Sequence, residues 1–175
     1  MPKIIENIRE NALAEARKEL LADGYRGMTL RRVAGALGIA LGTVYNYFPS
    51  KEYLAAGVML EDWQELSRGF EARSEGMDVR SKLAALFEMV RTFTERYSLS
   101  WAQYEDHKTA ESMRVRYHDV LVKQFAGYLT QAFQAENTQT EPWLAPFLAE
   151  LLLRFGSDGH SRYEDLKEAV EKLLS

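Results

Sequence analysis

Polar, aromatic and basic side chains that could contact a nucleic acid are concentrated between residues 29 and 51. Four residues in a row of five carry hydroxyl or amide groups that can bond to phosphates or to base edges: Thr43, Tyr45, Asn46 and Tyr47. Gly42 precedes them and would let another backbone approach closely, and Lys51 follows with a charge that can reach a phosphate. These types at this spacing favour duplex recognition, although core packing is the alternative for the two tyrosine rings.

Two adjacent arginines, Arg31 and Arg32, lie in the first turn of a predicted helix that begins after Thr29. The helix dipole disfavours cations at that end by about 0.3–1 kcal/mol each. An acidic residue at position 32 would also complete a capping box with Thr29, which Arg32 does not. A negatively charged partner facing this end of the helix accounts for the pair, and a solvated helix end is the alternative.

The elements that would position these residues are a helix, a tight turn and a second short helix. Thr29 is a suitable N-cap for the first of the two, and Gly38 supplies the turn because positive φ is favourable only for glycine. The second is predicted over Leu41–Tyr47, Pro49 ends it, and Ser50 caps a longer helix that runs to about residue 70. The apolar residues behind this pair are Leu30, Val33, Ala34, Leu37, Ile39, Val44 and Phe48.

Helical periodicity continues through the rest of the chain, and strand patterns are nearly absent. Breaks at Gly24, at residues 74–76, near residues 98–100 and 108, over 136–140 and over 156–159 divide the chain into about nine helices, the last capped by Ser161. The predicted fold is all-α. Residues 1–48 would form a three-helix helix-turn-helix domain that binds DNA, and residues 49–175 a C-terminal helical bundle.

Composition and charge exclude several classes of protein. The 175 residues are 46% hydrophobic, contain no cysteine and show no uninterrupted apolar run of membrane-spanning length, so we expect a folded cytoplasmic protein without disulfides or zinc–thiolate sites. The net charge of −4 is unevenly distributed: residues 1–60 carry eight basic and six acidic residues, a net +2, and the remaining 115 carry 14 and 20, a net −6. The basic excess coincides with the turn motif.

Neither a catalytic motif nor a good metal site stands out. There is no phosphate-binding glycine loop, nucleophile elbow or His-Glu-x-x-His pattern, so no enzyme activity, cofactor or metal is predicted. A weak divalent site at His107, Glu111 and His118 is the remaining alternative.

The segment GIALGTVYNYFPSKEYL resembles the recognition-helix signature of the TetR family of bacterial transcriptional regulators, and GMTLRRVAGALG is similar to the helix that precedes it. The resemblance implies a homodimer with an N-terminal DNA-binding domain and a C-terminal domain for dimerisation and effector binding. Carried over by position, the DNA contacts would be Thr29, Arg31, Thr43, Tyr45, Asn46, Tyr47 and Lys51, and Arg32 and Gly42 join them from their place in the segment.

Two positions depart from the family pattern. Ala40 stands where the family usually has a serine that caps the recognition helix, so that hydrogen bond is lost. Leu41 replaces a residue that is commonly polar or basic, and could instead contact a thymine methyl group. DNA binding is still expected, with a sequence preference that these changes would alter.

The C-terminal residues suggest two further surfaces. The last two helices are more apolar than a small core needs, and the resemblance implies that they form a four-helix bundle between two chains through Trp143, Phe147, Leu151, Phe155, Leu166, Val170 and Leu173. Closure of the chain's own core is the alternative. The resemblance also implies a cavity for a small apolar or amphipathic effector, lined by Trp63, Phe87, Phe93, Tyr97, Trp101, Tyr104, Tyr117, Phe125 and Tyr128.

These observations predict a homodimeric, ligand-responsive repressor that binds a palindromic operator in double-stranded DNA. Two alternatives are open: a DNA-binding regulator controlled by a protein partner, with a filled core, and a helical interaction or enzyme module whose turn motif is accidental.

Overall fold

The computed structural model describes residues 7–104 and 108–174, with the side chains of all of them except residues 104 and 108–117. The described residues form nine helices and no strand, which confirms the predicted all-α class. The helices are α1 (Ile8–Gly27), α2 (Leu30–Leu37), α3 (Leu41–Tyr47), α4 (Lys51–Arg73), α5 (Val79–Arg96), α6 (Ser98–Tyr104), α7 (Lys108–Ala135), α8 (Leu144–Gly156) and α9 (Tyr163–Leu174).

The chain divides into two compact units. The first comprises residues up to 64 together with 96–110, and the second comprises 65–95 together with 111 onwards. The first unit therefore contains α1, α2 and α3, but also the beginning of α4 and the whole of α6. The division at residues 48 and 49 into functional domains stays a prediction.

The core of the first unit is built from one face each of α1, α2 and α3. Residues three or four apart in α1 are buried because that spacing lies on one side of a helix, and Leu30, Val33 and Ala34 of α2 are buried as predicted. Val44 and Phe48, one turn apart, bury the inner side of α3. The buried members of α1 are Ala12, Leu13, Ala16 and Leu20.

Glycines determine where two of the turns fall. Gly24 leaves helical geometry at φ 70° and ψ −173°, so α1 breaks at the predicted position, although the helix resumes and ends only at Gly27. Gly38 ends α2 at φ 65° and ψ 32°, and its amide donates to the carbonyls of Ala34 and Gly35. Both conformations are strained for a residue with a Cβ atom.

The second unit packs α5, α8 and α9 around a shared apolar core. Gly156 permits the close approach of α8 to α5, because a Cβ atom there would lie 2.9 Å from Cγ1 of Val90. The ring of Tyr163 at the start of α9 lies 5.8 Å from that of Phe87, centroid to centroid. Ser161 does not cap α9 as predicted: its hydroxyl and amide both donate to Asp158, and Asp165 accepts from the amide of Arg162 at the helix start.

Candidate nucleic-acid interface

The outward side of α3 is polar and aromatic. Tyr45 and Tyr47 are each 48% exposed and Asn46 is exposed, whereas Val44, which precedes them, is completely buried. Core packing of the two tyrosine rings, the alternative interpretation of this segment, therefore does not hold. The helix carries three adjacent side chains with hydrogen-bonding groups toward solvent, on a support that is fixed from behind by Val44 and Phe48.

The beginning of α3 is open to close approach. Gly42 is exposed, and a Cβ atom at this position would meet no heavy atom within 4 Å. Ala40 gives the helix no side-chain cap, as its sequence predicts, and the Thr43 amide donates to the Ala40 carbonyl at 2.9 Å. Leu41 and Thr43 are half-buried, so each presents only part of its side chain to a ligand.

The two arginines of α2 have different environments. The Thr29 hydroxyl accepts from the Arg32 amide at 3.2 Å, which confirms Thr29 as the N-cap. Arg31 is exposed and has no ion-pair partner within the described parts of the chain. Its guanidinium is therefore available to a phosphate or a base.

Arg32 is held within the protein. Its Nη1 donates to Asp23 at 2.7 Å and to the Gly27 carbonyl at 2.8 Å, and its Nε lies 3.5 Å from Glu19. The hydrogen bond to Asp23, followed by the charge of Glu19, raises the pKa of Arg32 above its ordinary value. The sequence favoured an external anion as the partner of this arginine pair, with a solvated helix end as the alternative; for Arg32 the structure gives a third answer, acidic residues of α1. Arg32 therefore ties α2 to α1, and its contact with DNA stays a prediction.

Glu19 is a residue that sequence reasoning did not single out. It is almost completely buried, and its Oε2 accepts from the Thr29 amide at 3.2 Å. Burial raises the pKa of Glu19, although this hydrogen bond and the Arg32 charge act in the opposite direction. A signal was present in the sequence, because position 19 lies beside Ala16 and Leu20 on the apolar side of α1.

Lys51 begins α4 and lies against the end of α1. Its ammonium donates to the Arg26 carbonyl at 3.2 Å and lies 4.4 Å above the ring centre of Tyr25. Burial lowers the pKa of Lys51, and the neighbouring Glu52 opposes that shift. The side chain is thus held at a defined place instead of extending freely into solvent.

The residues predicted to line an effector cavity are divided between the two units. Trp63, Tyr97 and Trp101 belong to the first, where Tyr97 is fully buried and Trp101 is exposed at its surface. The second unit contains Phe87, Phe93, Phe125 and Tyr128, of which two are completely buried, Phe87 and Phe125. The side chains of Tyr104 and Tyr117 lie outside the described residues. The effector site stays a prediction.

The residues predicted to form a dimer interface fall into two groups. Trp143 and Phe147 are 54% and 43% exposed, and with the half-buried Leu151 and Phe155 they follow one another at intervals of four along α8. Leu166 and Val170 of α9 are instead buried within the chain itself, and Leu173 is half-buried. Among the residues predicted for the interface, those with exposed apolar surface therefore form a row along α8, which we call the α8 stripe (Trp143, Phe147, Leu151 and Phe155), and its role in a dimer stays a prediction.

Metal ligation finds no support among the described residues, which contain no group of three His, Asp or Glu side chains that could hold an ion. His107 and the side chain of Glu111 lie outside them, and His118 bonds to Glu150 at 2.8 Å. Within the same residues, no helix is both long and apolar enough to cross a bilayer.

Comparison with known proteins finds a family match for the helix-turn-helix segment. Residues 12–58, from α1 into α4, match the family model described as bacterial regulatory proteins of the tetR family. The resemblance of this segment to the TetR family is thereby confirmed. The chain is also 33% identical over 73 residues to the HTH-type transcriptional repressor KstR of Rhodococcus jostii, and this match spans 37% of the chain but only about a third (34%) of that relative.

Solved structures extend the likeness in fold to the remainder of the chain. Salmonella enterica GusR has a TM-score of 0.62 and 20% identity, with 90% of this chain and 86% of that one covered. Bacillus subtilis FadR, solved in complex with stearoyl-CoA, has a TM-score of 0.61 and 18% identity, with 95% and 97% covered. At these identities the likeness establishes the fold alone.

Proposed function

We propose that this protein is a DNA-binding transcriptional regulator that inserts α3 into the major groove. The observation that carries the proposal is the outward side of α3, where Tyr45, Asn46 and Tyr47 are exposed within the segment that matches the TetR family. The major groove of B-DNA is wide enough to admit one helix, and hydroxyl and amide groups can bond there to bases and phosphates. We place such a regulator in the cytoplasm, where bacterial DNA lies, and propose no catalytic role for it.

Charge supports the same surface. Arg31 is exposed without an ion-pair partner among the described residues. Lys51 is held against the end of α1, and its ammonium has three donors, of which the bond to the Arg26 carbonyl uses one. Each cation that neutralises a phosphate releases counterions, so affinity should fall steeply with added salt. The net +2 of residues 1–60 is small, and binding should therefore depend on these few contacts and not on a general basic surface.

The proposed regulator is a homodimer joined through the α8 stripe. Trp143 and Phe147 stack edge to face at a centroid distance of 5.9 Å, and exposed aromatic pairs of this kind are enriched in protein interfaces. A twofold dimer would present two copies of α3 to half-sites about 34 Å apart or a multiple of that distance, which requires a palindromic operator. Occupying such an operator would repress transcription, as the name of the matched relative indicates for that protein.

A small apolar or amphipathic effector is proposed to regulate the dimer. FadR of Bacillus subtilis, which shares the fold, was solved with stearoyl-CoA, and long-chain acyl thioesters are therefore the first compounds to test. Binding would shift α4 and alter the spacing of the two copies of α3. Because DNA fixes the half-site spacing, a change of a few ångström would favour the conformation that does not bind.

A regulator without a small-molecule effector is the second candidate. Phe87 and Phe125 have no exposed surface, which is the arrangement of a filled core. Two pockets of the described residues, of about 390 and 290 Å³, are open to solvent, and none of the predicted effector residues lines them. In this case a protein partner would control DNA binding.

Selection from a random duplex library tests the DNA-binding proposal without knowledge of the operator. Sequencing the bound fraction should yield a palindrome, and fluorescence anisotropy should show a steep loss of affinity between low and high salt. Tyr47→Ala should weaken binding by about fivefold or more, equivalent to roughly 1 kcal/mol. Gln64→Ala, at an exposed position of α4, is the control that should bind like the original protein. Recovery of no enriched sequence at low salt would overturn the proposal.

The two forms of regulation are separable by a thermal-shift titration. A ligand that binds the folded state raises the unfolding midpoint by mass action, so stearoyl-CoA or another acyl thioester should raise Tm in a concentration-dependent way and release the selected duplex. A panel of acyl thioesters, fatty acids and sterols that changes neither Tm nor DNA binding would favour control by a protein partner.

A further inference from the structure

Residues 24–29, which we call the connector, carry the chain from the break in α1 at Gly24, through the last residues of that helix, to the N-cap of α2. Gly24 leaves helical geometry, and Met28 and Thr29 are extended, with ψ values of 132° and 146°. The connector therefore joins α1 to α2, and its conformation influences where α2 and the following helix α3 lie relative to α1. A contact that holds the connector therefore contributes to the position of the DNA-facing surface, together with the bonds of Arg32 and the core packing of α1, α2 and α3.

The side chain of Gln103 on α6 reaches the connector. Its Oε1 accepts a hydrogen bond from the Arg26 amide at 2.6 Å, and its terminal amide lies so close to Gly24 that a Cβ atom there would be 2.7 Å from Oε1. Leu99, one turn earlier on α6, lies 2.8 Å from the same Cβ position. Beyond the break at Gly24, the Arg26 amide therefore has an acceptor on α6.

Lys51 holds the other side of the same residue. Its ammonium donates to the Arg26 carbonyl at 3.2 Å and rests on the ring of Tyr25. An ammonium has three donors, so this bond leaves others for a phosphate. The Arg26 amide thus donates to Gln103, and the Arg26 carbonyl accepts from Lys51. Through these two hydrogen bonds, Arg26 links α6 to Lys51, a predicted DNA contact.

We propose that Gln103 is a positioning residue for DNA binding: through Arg26 it fixes the connector and thereby places Lys51 to meet a phosphate. The inference rests on the proposed function and adds a route by which α6 regulates it. Displacing α6 would remove the hydrogen bond from the Arg26 amide to Gln103, loosen the carbonyl that holds Lys51, and increase the entropy lost when that side chain is ordered on DNA. No contact between Gln103 and DNA is required.

A double-mutant cycle on the selected duplex tests this route. Gln103→Ala should weaken binding by about two- to tenfold, the range expected for loss of one hydrogen bond. In a Lys51→Ala background the same change should have little further effect, because the side chain that Gln103 positions is gone. Gln103→Glu keeps an acceptor for the Arg26 amide and should restore most of the affinity. Gln64→Ala is the matched control in the same unit and should change nothing in either background.

Hydrogen exchange in the absence of DNA supplies a second readout. Gln103→Ala should accelerate amide exchange in residues 24–29, and Gln103→Glu should not. Equal weakening of DNA binding by Gln103→Ala with and without Lys51, or unchanged exchange in the connector, would overturn the inference. Failure of the original protein to bind any selected duplex would instead overturn the proposed function, and the two failures are therefore distinguishable.

Discussion

The hydroxyl of Tyr97 donates a hydrogen bond to Oδ2 of Asp62 at 2.7 Å, and both residues are almost completely buried. The same carboxylate accepts from Nε of Arg17 at 2.6 Å and from Nη1 of Arg96 at 3.0 Å. One acidic residue of α4 thereby joins α1 to the end of α5 and the residue that follows it. Burial, followed by this hydrogen bond, raises the pKa of Tyr97 far above its ordinary range, so the phenol stays a neutral donor.

Asp62→Ala should lower the free energy of unfolding by about 2–4 kcal/mol, since it leaves a buried hydroxyl and two guanidinium groups without their shared acceptor. The side chains of Arg17 and Arg96 are 31% and 35% exposed, which keeps the effect below that of a fully buried ion pair. Urea denaturation followed by circular dichroism measures it. Asp119→Ala, at an exposed position of α7, is the control, and an equal loss in both variants would contradict the role given to Asp62.

Arg31→Ala and Arg32→Ala should affect different properties: the first the affinity for DNA, the second the stability of the fold. Arg32→Ala removes the bonds to Asp23 and the Gly27 carbonyl and should lower the urea midpoint. Arg31→Ala should leave that midpoint unchanged but weaken binding to the selected duplex and reduce the slope of log affinity against log salt by about 1. Both quantities are measured on the same preparations. A destabilised Arg31 variant, or a fully stable Arg32 variant, would be inconsistent with the structure.

Two glycines three residues apart should respond oppositely to alanine. Gly35 lies inside α2, where an added Cβ atom would meet no heavy atom within 4 Å, so Gly35→Ala should stabilise the protein by about 0.5–1 kcal/mol. Gly38 has equal space but φ 65°, and Gly38→Ala should destabilise it by roughly 1 kcal/mol. Thermal unfolding of the pair separates backbone strain from crowding, because neither site is crowded. A loss of stability in both would indicate that α2 is not helical at residue 35.

Local signals in the sequence were sufficient for the parts of the fold that depend on neighbouring residues. The Thr29 cap, the Gly38 turn and the end of α3 before Pro49 all follow from side chains within one turn of the feature, and each is where it was predicted. The exposure of Tyr45, Asn46 and Tyr47 follows similarly from the helical spacing of Val44 and Phe48.

Contacts between distant residues were beyond that reasoning. Arg32 pairs with Asp23 across the α1–α2 junction, and Gln103 meets Arg26 from 77 residues away, so no local pattern identifies either partner. The prediction that Ser161 caps α9 is wrong because the hydroxyl and amide of Ser161 both donate to Asp158, three residues earlier. The helical spacing of the aromatic residues correctly indicated apolar helix faces. It contained no information that Tyr97 and Phe87 belong to different compact units.

Phe147→Glu should convert the proposed dimer into a monomer. The change places a charge in the middle of the α8 stripe, and burying an unpaired carboxylate in an apolar interface is unfavourable. Sedimentation velocity at micromolar concentration measures the mass, and Leu21→Glu, at an exposed leucine of α1, is the matched control. An unchanged mass for Phe147→Glu would remove the stripe from the interface.

Leu166→Ala, on the neighbouring helix α9, should instead lower the free energy of unfolding of the chain by about 2–5 kcal/mol, because Leu166 is buried within it.

The contribution of Tyr128 to stability should decline in alkaline solution. Its hydroxyl donates to Glu71 at 2.6 Å, and burial together with this bond raises the pKa of Tyr128 to about 12. A tyrosine in the unfolded chain ionises near pH 10. Above that pH the unfolded state gains free energy from ionising Tyr128, whereas in the folded state Tyr128 is still protonated, so the free energy of unfolding falls. The stability advantage over Tyr128→Phe should be largest below about pH 10 and shrink as the pH approaches 12, by no more than about 1 kcal/mol because Tyr128 is only half-buried. Urea midpoints at several alkaline pH values measure this difference, with Tyr53→Phe at an exposed position as control. An advantage that stays constant or grows with pH would show that the fold does not disfavour ionised Tyr128.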